Sequence, residues 1–64
     1  MLTFDLSNNC DINIVFDRVL TMEITGNIFD AIGEIKNSFQ LYPFEDAIII
    51  DANTKKKLIT IKNT

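Results

Sequence analysis

The first feature of the sequence is a regular alternation of apolar and polar residues from position 12 to position 24. With the single exception of Arg18, its even positions are large and apolar: Ile12, Ile14, Phe16, Leu20, Met22 and Ile24. Side chains of a β-strand point alternately to the two faces of a sheet, so this spacing predicts strand structure with one apolar face. The interruption at Arg18 leaves open whether the segment is one strand or two.

Two arrangements keep these apolar side chains on one face. A hairpin with the three-residue loop Asp17-Arg18-Val19 pairs Phe16 with Leu20, and a single long strand bent near Arg18 preserves the same face. A two-residue turn would mix apolar and polar side chains and is rejected. The hairpin is favoured because strands are usually five to six residues long, although its loop lacks the glycine that is common at a left-handed position.

An earlier alternating segment predicts a further strand. Leu2, Phe4 and Leu6 alternate with polar residues, and turn-forming residues occupy positions 7–11. Pairing Leu6 with Ile12 puts all the apolar side chains of both segments on one face. We therefore expect a hairpin between this segment and the strand that starts at Ile12.

One amphipathic helix is predicted in the middle of the chain. Asn27 is a suitable N-cap residue, and Asp30 then lies where a carboxylate favours the positive end of the helix dipole. The apolar positions of the helix recur at helical spacing: Ile28, Ile32, Ile35 and Phe39. Gly33 is unfavourable in a helix, and we expect close packing against the sheet as its reason. Pro43 ends the helix before Tyr42.

The remainder of the chain predicts two strands joined by a turn. Residues 47–50 are an apolar run without alternation, typical of a strand covered on both faces, and residues 51–55 are turn formers. Residues 56–62 alternate again, except that Leu58 is out of phase. The element order β-β-(β)-α-β-β predicts a single α+β domain over residues 1–64. In it, one helix packs on a four- to five-stranded, mainly antiparallel sheet as a two-layer sandwich.

The apolar content is high for so short a chain. It has 64 residues, of which 47% are hydrophobic, and a chain of this size buries only about 60% of its unfolded surface. The single cysteine, Cys10, cannot form an intramolecular disulfide. We therefore expect apolar side chains to remain for an interface with another protein, and self-association as a homodimer or a higher oligomer.

The sequence supplies little catalytic chemistry. It has no histidine, and its two glycines fit no phosphate-binding loop, so we predict that the protein is not an enzyme and uses no cofactor or metal. Glu45 and Asp46 with Asp51 offer carboxylates for a hard cation, but their spacing fits no calcium loop and solvated strand ends are favoured. We interpret Cys10, beside Asp11, as an inert and partly buried loop cysteine, and its even position leaves open that it points inward instead.

Two groups of residues are candidates for binding surfaces. The first would contact a protein partner, because arginine and aromatic residues are enriched at interfaces: Arg18, Phe39, Tyr42 and Phe44. A turn tip for the arginine and packing under the helix end for the aromatics are the favoured alternatives. The second would contact the phosphates of a nucleic acid: Lys55, Lys56, Lys57 and Lys62. Protection of an edge strand is the favoured alternative for these lysines.

The charge of the chain favours a protein partner over a nucleic acid. All nine acidic residues lie in residues 1–53, and the net charge is -3. The first residues, MLTFDLSNN, show no basic and apolar signal pattern, so we expect a cytoplasmic protein. The many isoleucine, asparagine and lysine residues favour a low-GC bacterial or phage gene, which would place the protein in the host cytoplasm.

We therefore predict a non-catalytic protein-interaction module. It would act as an adaptor or as an inhibitor that occludes a partner surface, of the kind that phages and mobile elements encode. The alternatives are a nucleic-acid-binding protein that uses the C-terminal lysine hairpin, and a small structural subunit of a larger, phage-type assembly.

Overall fold

The computed structural model describes residues 9–63 as one helix packed on one sheet. Two strands precede the helix in the chain and two follow it. In chain order the elements are β1 (Cys10–Phe16), β2 (Leu20–Gly26), α1 (Ile28–Leu41), β3 (Asp46–Asp51) and β4 (Lys57–Lys62). All neighbouring strands are antiparallel, in the order β2-β1-β3-β4. The predicted α+β fold, with one helix on a four-stranded sheet, is confirmed.

Residues 12–24 form a hairpin and not a single strand. Its cross-strand pairs are those of the predicted register: Phe16 with Leu20, Ile14 with Met22 and Ile12 with Ile24. The N–H of Val19 donates to the carbonyl of Phe16 at 3.0 Å and closes the turn. Asp17 and Arg18 have φ angles of 52° and 64°. Positive φ at two successive turn residues matches the right-handed twist of a hairpin, and here non-glycine residues adopt it.

Both edges of β1 are occupied. Strand β2 pairs along the whole of β1, and β3 pairs with it from Ile12 to Phe16 on the other side. The predicted strand at residues 2–6 lies outside the described residues. Strand β1 has no free edge from Ile12 to Phe16. Alternation assigns a face to each side chain but does not specify which strands become neighbours.

The helix begins and ends where the sequence predicts. The Asn27 side chain accepts a hydrogen bond from the Asp30 N–H at 2.9 Å, and the Asp30 carboxylate accepts one from the Asn27 N–H at 3.0 Å. This reciprocal pair is a capping box. At the other end, the N–H of Tyr42 donates to the carbonyl of Ser38 at 2.8 Å. Among the described residues, no helix combines the length and apolar character needed to span a bilayer.

The core lies between the helix and one face of the sheet. Its fully buried apolar side chains come from β1, α1 and β3: Ile12, Ile14, Phe16, Ile28, Ala31, Ile35, Ala47 and Ile49. Residues 47–50 were expected to be covered on both faces of the sheet, but the helix covers only one of them. Ile48 and Ile50 are half-buried on the opposite face, which no described element covers.

The expectation that Gly33 packs closely against the sheet is wrong. This residue is exposed, and a Cβ atom added to it would meet no other atom within 4 Å. Gly33 therefore faces solvent and does not pack closely on the sheet. The glycine that packs closely is Gly26, where an added Cβ would lie 2.6 Å from the Asp30 carboxylate.

The β3–β4 connection contains the predicted turn. The Asp51 carboxylate accepts from the N–H of Asn53 at 2.9 Å, and the Asp51 carbonyl accepts from the N–H of Lys55 at 2.7 Å. The out-of-phase Leu58 lies at a register shift, because β3 residues Ile49 and Ile50 pair with Ile59 and Lys57. A β-bulge of this kind absorbs one extra residue in a strand.

Candidate functional site

The β1–β2 turn and the end of the helix lie at the same end of the molecule. Phe39, in the last turns of α1, contacts Phe16 at the end of β1 edge to face, with 6.3 Å between ring centroids. Phe44 stacks on the same Phe16 ring at 4.6 Å, and Tyr42 contacts Phe44 at 5.5 Å. The aromatic contacts thus join three separate segments of the chain at one end of the core.

Four large apolar side chains are exposed here, and we call them the apolar end: Val19 (84% exposed), Leu20 (52%), Leu41 (65%) and Tyr42 (55%). The first two belong to the β1–β2 hairpin and the last two to the helix terminus. Leu20 shares a sheet face with its cross-strand partner Phe16, which lies beneath the helix. Such a concentration of exposed apolar side chains is typical of a surface that another molecule covers.

All four predicted partner-binding residues lie at this end of the molecule. Arg18 is exposed in the turn, and Tyr42 is exposed at the helix C-cap. Phe39 and Phe44 are half-buried, because they pack on Phe16. Phe39 and Phe44 therefore support the surface from within, while Arg18 and Tyr42 are accessible to a partner.

Three exposed residues are absent from the predicted partner-binding set: Val19, Leu20 and Leu41. Leu20 lies on the apolar face of the hairpin, and the alternation gave no sign that it would remain exposed. The signal that could have identified Val19 is its position, since an apolar residue in a three-residue loop has no neighbouring strand to cover it. Leu41 is the last residue of α1 and lies outside the buried stripe of the helix.

Asp17 attaches the turn to the start of β3. Its Oδ1 atom accepts hydrogen bonds from the N–H groups of Glu45 at 2.7 Å and Asp46 at 3.1 Å. Its own N–H donates to the carbonyl of Asp46 at 3.1 Å. Together with Arg18, these three acidic residues line a recess of about 290 Å³ beside the apolar end. The apolar end is thus flanked by one positive and three negative side chains.

The structure separates the lysines predicted for nucleic-acid binding. Lys55 and Lys56 lie in the β3–β4 turn, and Lys57 begins β4. Lys62 ends the same strand, about 17 Å further along at the usual rise per residue, opposite Asp46. Strand β4 is at the edge of the described sheet, where lysines discourage pairing with other chains.

The groups that could take part in chemistry are the thiol of Cys10 and the carboxylates. Cys10 begins β1 and packs against the core, so the expectation of a loop cysteine is wrong. Burial raises the pKa of its thiol, and the charges of Asp51 and Asp11 raise that pKa further. Within residues 9–63, no group of three or more histidine, cysteine, aspartate or glutamate side chains is placed to hold a metal ion.

Comparison of the chain with protein-family models, with curated proteins and with solved structures finds no match. Its function must therefore be inferred from the surface of the chain itself.

Proposed function

We propose that this chain is a non-catalytic protein-interaction module that binds a protein partner through the apolar end. The observation that supports this most directly is the joint exposure of Val19, Leu20, Leu41 and Tyr42 at one end of the molecule. Covering a large apolar side chain stabilises a complex by about 1.5–3 kcal/mol if burial is complete. Four such side chains are enough for the centre of an interface.

The apolar end is held in place before a partner arrives. Asp17 joins the turn to β3 through two accepted hydrogen bonds and one donated hydrogen bond. Beneath the surface, the Phe16 ring is packed between Phe39 and Phe44. A surface that is already ordered loses less conformational entropy on binding, which supports a docking role.

Charge around the apolar end favours a particular class of partner. Asp17, Glu45 and Asp46 lie beside it, and the whole chain has a net charge of -3. A negative surface speeds encounter with a positively charged partner, and Arg18 at the tip supplies a residue type that is common in interface centres. The mechanism we propose is occlusion, in which the apolar end covers a functional surface of a basic partner as an adaptor or an inhibitor.

The proposal is tested by site-specific photo-crosslinking in cells that express the protein. A photoreactive phenylalanine analogue replaces Tyr42 in one variant and Glu34, on the exposed side of the helix, in the matched control. We expect a discrete adduct with one protein at position 42 and none at position 34. The adduct should disappear when Leu41→Ser is added. Equal labelling at the two positions would contradict the proposal.

The alternatives predict different results. A nucleic-acid-binding protein would bind DNA or RNA with an affinity that falls steeply as salt increases and that depends on Lys55, Lys56 and Lys57. A structural subunit would form rings or polymers, which sedimentation velocity would detect. A homodimer would give a single concentration-dependent step in the same experiment.

A further inference from the structure

The two edges of the described sheet differ in their protection against pairing with another strand. Strand β4, at one edge, has a lysine at each end, Lys57 and Lys62, and a register shift in its pairing with β3. Lysines and bulges both discourage the addition of a strand. Strand β2, at the other edge, has seven residues without lysine, arginine or proline, and it pairs with β1 without a register shift. The edge of β2 is therefore the one open to strand addition.

Half of the backbone polar groups of β2 point away from the sheet. The carbonyl of Asp11 accepts from the N–H of Ala52, just after β3, at 3.1 Å. The odd-numbered residues of β1 thus bond toward β3, and its even-numbered residues bond toward β2. Their partners on β2 are also even-numbered, and no element of residues 9–63 pairs with the other edge of β2. The outward N–H and C=O groups belong to Thr21, Glu23 and Thr25.

The side chains of β2 give this edge an apolar side and a polar side. On the helix side they are one exposed and two half-buried apolar side chains: Leu20, Met22 and Ile24. On the other side all three are exposed and polar: Thr21, Glu23 and Thr25. Because Leu20 also belongs to the apolar end, the helix side of β2 continues that surface along the edge of the sheet.

The charges in and around β2 are mainly negative. Four acidic and two basic side chains lie in the strand, in its turn, on β1 or against its end: Glu23, Asp11, Asp17, Asp30, Arg18 and Lys55. Only Glu23 belongs to β2 itself, at the middle of the strand. A side chain of an added strand would lie directly opposite Glu23, and a positive charge there would be attracted.

We infer that the free edge of β2 accepts an extended segment of the partner protein as an additional strand, with a lysine or arginine opposite Glu23. The inference rests on the proposed function, because the segment belongs to the same basic partner that covers the apolar end. Backbone hydrogen bonds to Thr21, Glu23 and Thr25 supply affinity in this mode of binding, and alternate side chains supply specificity.

Charge and pairing favour a basic segment of another protein over a second copy of this chain. Two β2 strands paired about a two-fold axis at Glu23 would place the two carboxylates directly opposite each other, which is destabilising. An axis at Met22 would still make those carboxylates diagonal neighbours. Strand β4 of a second copy has lysines, but its register shift interrupts a regular ladder.

Amide hydrogen exchange of the free, full-length chain tests whether the edge is open. We expect fast exchange at Thr21, Glu23 and Thr25, and slow exchange at Met22 and Ile24, whose N–H groups bond to β1. Slow exchange at the first three that persists on dilution would assign the edge to residues 1–8 of the same chain. Slow exchange only at high concentration would assign it to a second copy. Either result overturns the inference.

Photo-crosslinking in cells identifies the occupant. The photoreactive phenylalanine analogue replaces Thr21 in one variant and Thr60, an exposed threonine of β4, in the matched control. We expect position 21 to give an adduct with the same protein as position 42, and position 60 to give none. Glu23→Lys should lower the yield at position 21 about fivefold, whereas Glu34→Lys, the same charge change on the helix, should leave it unaltered.

The outcomes of crosslinking separate the two proposals. An adduct from position 42 without one from position 21 overturns strand addition and leaves the proposed function intact. An adduct from position 21 without one from position 42 contradicts the proposed function and supports strand addition. Equal yields from positions 21 and 60 also overturn strand addition at β2.

A synthetic peptide tests the backbone contacts directly. The probe is as long as β2, seven residues, with alternating valine and threonine and a lysine at its centre. At about 1 mM it should shift the NMR signals of the β2 amides. N-methylation of the central lysine removes an N–H that faces β2 and should abolish binding, whereas N-methylation of a neighbouring valine should not. Absence of a shift, or equal effects of the two methylations, overturns the inference.

Discussion

Asp17 and Asp46 exchange hydrogen bonds in both directions although 29 positions separate them in the sequence. The Asp17 N–H donates to the Asp46 carbonyl at 3.1 Å, and the Asp17 carboxylate accepts from the Asp46 N–H at 3.1 Å. The same carboxylate also accepts from the Glu45 N–H at 2.7 Å. This contact holds a turn residue at a φ of 52°, a value that non-glycine residues seldom adopt.

Replacing Asp17 should therefore destabilise the fold. Asp17→Ala removes the acceptor of two backbone N–H groups and places alanine in the left-handed region. We expect a loss of about 1–3 kcal/mol in the free energy of unfolding, measured by urea denaturation. Asp17→Asn is the matched control, since asparagine keeps an acceptor oxygen and tolerates positive φ. Equal stability of the alanine and asparagine variants would show that the hydrogen bonds contribute nothing.

Gly33→Ala should stabilise the protein. The residue is exposed inside α1, and an added Cβ would meet nothing within 4 Å. Alanine is favoured over glycine in a helix interior by about 1 kcal/mol, so the free energy of unfolding should rise by about that amount. The midpoint of thermal unfolding, followed by the circular dichroism of the helix, measures this change. A lower midpoint than that of the wild type would contradict the placement of Gly33.

Gly26→Ala should have the opposite effect, through Asp30. The added Cβ would lie 2.6 Å from Asp30 Oδ2, the atom that accepts from the Asn27 N–H. The carboxylate has to move away, and one half of the capping box is lost at a cost of about 0.5–2 kcal/mol. Asp30→Ala removes the same hydrogen bond directly.

The combination of these two changes tests the mechanism. Both substitutions remove the same hydrogen bond, from the Asn27 N–H to the Asp30 carboxylate. The double variant Gly26→Ala with Asp30→Ala should therefore lose less stability than the sum of the two single losses. Simple addition of the two losses would mean that alanine at position 26 acts through some other contact.

The thiol of Cys10 should make stability depend on alkaline pH. Burial, followed by the charges of Asp51 and Asp11, raises its pKa in the folded chain above the value in the unfolded chain. This contribution to stability is complete below the unfolded pKa and is lost as the pH rises through the folded pKa. The Cys10→Ala variant lacks this contribution. As the pH rises, the free energy of unfolding of the wild type should therefore fall relative to that of the variant. A constant difference across that range would contradict the expectation.

Reactivity gives an independent measurement on the same residue. Since the thiolate is the nucleophile, alkylation of Cys10 at mildly alkaline pH should be slower in the folded chain than in urea. Equal rates in the two states would show that the folded environment does not disfavour the thiolate.

Local features of this chain were predictable because short-range forces fix them. The register of the β1–β2 hairpin agrees with alternation, since a three-residue loop keeps Phe16 and Leu20 on the same face and a two-residue turn would not. The start of α1 follows from the hydrogen bonds between Asn27 and Asp30, which are three residues apart. The turn after β3 follows in the same way from Asp51 and its near neighbours.

The candidate surface was predictable only in part. Arg18 and Tyr42 were identified from residue type, and both are exposed at the apolar end. The exposure of Leu20 and Leu41 does not follow from residue type, because it depends on where the helix ends relative to the hairpin. Residue type indicates that a side chain suits an interface, but the packing of distant segments decides whether it reaches solvent.

The sequence by itself determined the apolar face of residues 12–24 and the two ends of α1, because a period of two or 3.6 residues and the capping hydrogen bonds act over a few positions. Only the tertiary structure decided that β1 lies between β2 and β3, that Lys62 lies apart from the other lysines and that Gly33 faces solvent. These relationships join residues far apart in the chain. Which of them form depends on whether the free energy of the long-range contacts exceeds the entropy cost of closing the loops between the residues. A local sequence pattern contains no information about that balance.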